Sequence, residues 1–80
     1  MASTGEVTRE QAQTAFSRIL LEKIRQDRNP SYTQMRLLEQ TIPPSLHREY
    51  LTILLEKVMD DNTPSTTMLR KIQRFMSEEL

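Results

Sequence analysis

The stretch ILLEKIRQDRNPSYTQMR, residues 19–36, returns as ILLEKVMDDNTPSTTMLR, residues 53–70. At a fixed offset of 34, positions 19–42 match positions 53–76 at 10 of 24 pairs, where about one or two identities would arise by chance. The match runs without a gap through a break in apolar periodicity, so what is repeated is a pair of helices with the turn between them. Each copy reads as one helical hairpin.

Outward from the repeat, Thr8 followed by Gln11 fits a capping box. Ala12, Phe16, Ile19, Leu20 and Ile24 then recur at helical spacing, which predicts a first helix ending near Arg28. Asn29 before Pro30 reads as a helix cap followed by a first-turn proline, because a proline at that place lacks only an N–H that the helix start leaves unpaired. Met35, Leu38 and Ile42 give the second helix its inward stripe, and Pro43 with Pro44 must end it. A third helix is expected from about Pro44 or Ser45 to Asp61 and Asn62, with Leu46, Tyr50, Ile53, Leu54 and Val58 inward. Thr63 then reads as the cap of a fourth, with Pro64 in its first turn and Met68, Leu69, Ile72, Phe75, Met76 and Leu80 carrying the periodicity. No segment has the alternation of a strand.

The expected fold is therefore all-α: a small four-helix domain built from two duplicated helical hairpins. A flexible tail is expected over residues 1–7 and a single domain over 8–80, with hairpin 1 at about 8–42 and hairpin 2 at about 43–80. The matched inward pairs Phe16/Tyr50, Leu20/Leu54, Ile24/Val58, Met35/Leu69, Leu38/Ile72 and Ile42/Met76 suggest that the halves pack about a pseudo-twofold axis. A period of 34 is similar to that of the tetratricopeptide repeat, but the Trp-x-x-Leu-Gly and small-residue positions of that pattern are absent. Two copies are also fewer than the three or so an open array needs. The residues assign no family.

Composition narrows the function. Eleven basic and eleven acidic residues cancel, removing the bulk attraction that carries nonspecific nucleic-acid or anionic-membrane binding. With no cysteine, neither disulfides nor thiolate metal sites can support a chain this short, which buries only about 60% of its unfolded surface. The longest apolar runs, at Ile19 and Ile53, fall far short of the roughly 20 residues that span a bilayer. The opening MASTGEV is not patterned as a secretory signal, so a cytoplasmic location is expected.

Catalysis is poorly supplied. The single histidine, His47, has no cysteine or serine constellation to act with, and it reads as a solvated residue at a helix start. Glu22 and Glu56 are equivalent in the two copies, but a carboxylate-bridged metal bundle needs a Glu-x-x-His that this chain lacks. One glycine cannot build a phosphate loop. The expectation is a non-enzyme with no cofactor and no metal.

Two surfaces remain. Arg70, Lys71 and Arg74 form a small basic face on the last helix, the basis for an alternative reading as a nucleic-acid binder, disfavoured by the balanced charge. More informative is how the copies differ. Ser17, Arg25, Gln34 and Thr41 of the first become Leu51, Met59, Met68 and Phe75 in the second, every change from polar to apolar. Leu51, Leu55 and Met59, spaced i, i+4, i+8, flank the stripe of the third helix, and Met68 and Phe75 flank that of the fourth. Leu51, Leu55, Met59, Met68 and Phe75 are therefore the expected contact surface of a protein-interaction module, its partner another protein or a second copy in a homodimer.

Overall fold

A computed structural model describes residues 6–79. The tail expected over residues 1–7 lies outside the described residues for its first five, as does Leu80 of the expected fourth stripe. Among the described residues the chain is all-α, with helices α1 (Arg9–Gln26), α2 (Tyr32–Thr41), α3 (His47–Asp60) and α4 (Thr66–Glu79), and no strand. It divides into two compact units, Met1–Pro43 and Pro44–Leu80. The boundary falls inside the proline pair that the sequence marks as the end of hairpin 1.

In the first unit, Thr8 Oγ1 accepts the Gln11 N–H at 3.1 Å and Gln11 Oε1 accepts the Thr8 N–H at 3.0 Å, a complete capping box. The α1 stripe is Ser17, Leu20, Leu21 and Ile24, and that of α2 is Met35 and Leu38, with Ile42 just beyond its end. Gln13, near the start of α1, donates to the carbonyl oxygen of Thr41 at the end of α2 at 2.6 Å, so the two helices run antiparallel. Ala12, Phe16 and Ile19, expected inward, are exposed, and Leu21 takes their place. A helix in a two-helix hairpin buries a narrow arc, and an apolar residue outside it stays in solvent.

The second unit opens with one turn of 3-10 helix, Pro44–Leu46, where the third α-helix was expected to begin. Proline suits this tighter first turn because no N–H is asked of it. Its core is Leu46, Tyr50, Leu51, Ile53 and Leu54 with Ile72 and Phe75 of α4. Val58 is only half-buried, and Leu69 and Met76, expected inward, are exposed. Burial at equivalent positions thus differs between the units, and the twofold symmetry expected from the repeat is not shown.

The two interhelical turns repeat in detail. Asp27 and Asp61 end α1 and α3 in extended backbone, and each carboxylate accepts an N–H two residues on, that of Asn29 at 3.1 Å and that of Thr63 at 3.0 Å. The caps are then Ser31 and Ser65, whose hydroxyls accept the N–H of Gln34 at 3.1 Å and of Met68 at 3.0 Å. This corrects the expected caps Asn29 and Thr63 and the first-turn placing of Pro30 and Pro64. The aspartate turn engages Asn29 and Thr63 from the other side, so the hydroxyl two residues later is the one that meets the third helical amide. Pro30 precedes its cap, with buried Met35 at the fourth helical position, the two places of a hydrophobic staple.

Candidate functional site

Three of the four polar-to-apolar positions have the same burial in both units. Ser17 and Leu51 are both buried, Gln34 and Met68 are both half-buried, and Arg25 and Met59 are both exposed. Only Thr41, half-buried, differs from buried Phe75. Leu51 and Phe75 therefore belong to the core of the second unit rather than to a solvent-facing surface. Phe75 sits edge-on between two rings, 5.2 Å from His47 and 5.1 Å from Tyr50 by centroid, a favoured aromatic geometry.

What stands in solvent is Leu55 and Met59 on α3, with Leu69 and Met76 on α4. Met59 is 82% exposed. At about 100° per residue, Leu55 and Met59 lie on one shoulder of α3, beside buried Leu51. Leu69 and Met76 lie on the shoulder of α4 with the same rotational sense, beside buried Ile72. The start of α3 meets the end of α4 through His47 and Phe75, so these helices are antiparallel and shoulders of equal sense face the same side of the hairpin. Four large apolar side chains thus share one side of the second unit. Leu69 and Met76 were missed in the sequence because their helical spacing fits a buried stripe equally well.

Of the basic trio, Arg70 and Arg74 are exposed on the outer side of α4 and Lys71 is half-buried. Glu22 is exposed and bound locally, its carboxylate 3.5 Å from Arg25 Nε in an ion pair and accepting from Gln26 Nε2 at 2.8 Å. His47, expected to be solvated, is buried because Phe75 packs on its ring while the end of α4 takes its nitrogens. Nδ1 donates to the backbone carbonyl oxygen of Glu79 at 3.2 Å, and Nε2 lies 3.8 Å from Glu79 Oε1. Among the described residues, no three or more His, Cys, Asp or Glu are grouped as a metal site, and no helix is long and apolar enough to cross a membrane. No family model, curated protein or solved structure matches the chain.

Proposed function

We propose that the protein is a non-enzymatic interaction module whose contact surface is the open side of hairpin 2, formed by Leu55, Met59, Leu69 and Met76. The observation that carries this reading is Met59. It stands in the open where the equivalent position of hairpin 1 carries an arginine, also in the open, so the hairpin itself has no use for an apolar side chain there. Single exposed apolar residues are ordinary, but four on one side of a hairpin form the kind of patch that binding surfaces use. Methionine and leucine side chains adapt to a partner's contour at small cost.

The test is a photo-reactive amino acid at position 59 of the full chain, compared with one at position 74 on the outer side of α4. The surface reading expects an adduct of higher mass from position 59, with the chain itself or with another protein, suppressed by Leu55→Gln. No adduct from position 59, or equal adducts from both positions, overturns it.

A further inference from the structure

We draw no further inference here: the strongest candidate, the exposed apolar patch of Phe16 and Ile19 on the open side of α1, carries nothing because nothing in the structure shows what covers it.

Discussion

His47 and Glu79, 32 positions apart in sequence, meet twice: the imidazole Nδ1 lies 3.2 Å from the Glu79 carbonyl oxygen and Nε2 lies 3.8 Å from the Glu79 carboxylate. The carbonyl belongs to the last turn of α4, where the helix supplies no amide to satisfy it, so a side chain from the first turn of α3 closes the helix end. His47→Ala should remove this tie together with an edge contact to Phe75, costing about 1 to 2 kcal/mol of stability. Glu79→Gln keeps the backbone carbonyl and alters only a half-exposed carboxylate 3.8 Å from Nε2, so it should change stability by less than about 0.5 kcal/mol. Equal melting temperatures for the two variants would show that the ring contributes nothing beyond its contact with the carboxylate.

The reassigned caps make a sharper test. Ser31→Ala and Ser65→Ala should each cost about 1 kcal/mol, because each hydroxyl satisfies an otherwise unpaired helix-start amide. Thr63→Ala should be nearly silent, since Thr63 enters the turn through its backbone N–H. A loss on Thr63→Ala larger than that on Ser65→Ala would restore the cap two residues upstream.

These caps also show how far the sequence could be read. Four helices, their order and the Pro43–Pro44 boundary follow from apolar spacing and from proline's missing N–H, which act locally and leave a mark in the sequence. The choice between Asn29 and Ser31 depends on which hydroxyl or amide lies closer in space, and the Asp27 carboxylate decides it. Phe16, Ile19, Leu69 and Met76 fit an inward stripe by spacing alone, yet all are exposed. Periodicity locates the apolar arc of a helix but not which shoulder of the arc is covered, because that depends on packing beyond the helix. His47 was misjudged for the same reason: its cover comes from Phe75, 28 positions on. Of the expected contact set, Leu55 and Met59 stand in solvent while Leu51 and Phe75 fill the core, because a polar-to-apolar difference between copies marks either change equally.

Ser17 is the counterpart of Leu51, and both are buried. Among the described residues, Ser17 Oγ has no hydrogen-bond partner. A buried hydroxyl without one loses its hydration and gains nothing in return, a cost of about 1 to 3 kcal/mol. Ser17→Ala removes that cost and adds helix propensity, so it should raise stability by about 0.5 to 1 kcal/mol, a rise of a few degrees in melting temperature for a chain this size. A lowered melting temperature would mean that the hydroxyl is satisfied.

Arg70 and Arg74 are exposed and so are available to phosphate, but two arginines on a chain of balanced charge release few counterions. The chain should show no binding to duplex DNA or single-stranded RNA at physiological salt. Replacing Arg70, Lys71 and Arg74 together by glutamine should then change nothing in a salt titration. Binding that weakens steeply with salt and disappears in the triple variant would make α4 a nucleic-acid face instead.

Leu21 and Leu55 occupy the same place in the repeat, 34 residues apart, with the same neighbours Ile-Leu before and Glu-Lys after. Intrinsic helix propensity and local sequence therefore cannot make alanine substitutions at the two sites differ; only their surroundings can. Leu21 is buried, so Leu21→Ala should leave a cavity and cost about 2 to 5 kcal/mol, a large share of what a small domain has. Leu55 is 39% exposed, and Leu55→Ala should cost the isolated chain well under half as much, since its neighbours lose fewer contacts and water already reaches the site. Both variants should be melted at concentrations too low for association, because self-binding would stabilise the wild type by mass action and disguise the comparison. When concentration is raised, the order should invert in a second measurement: Leu55→Ala should weaken association, while Leu21→Ala, where it still folds, should leave it intact. Equal losses of stability at the two sites would mean that the hairpins bury the same shoulder.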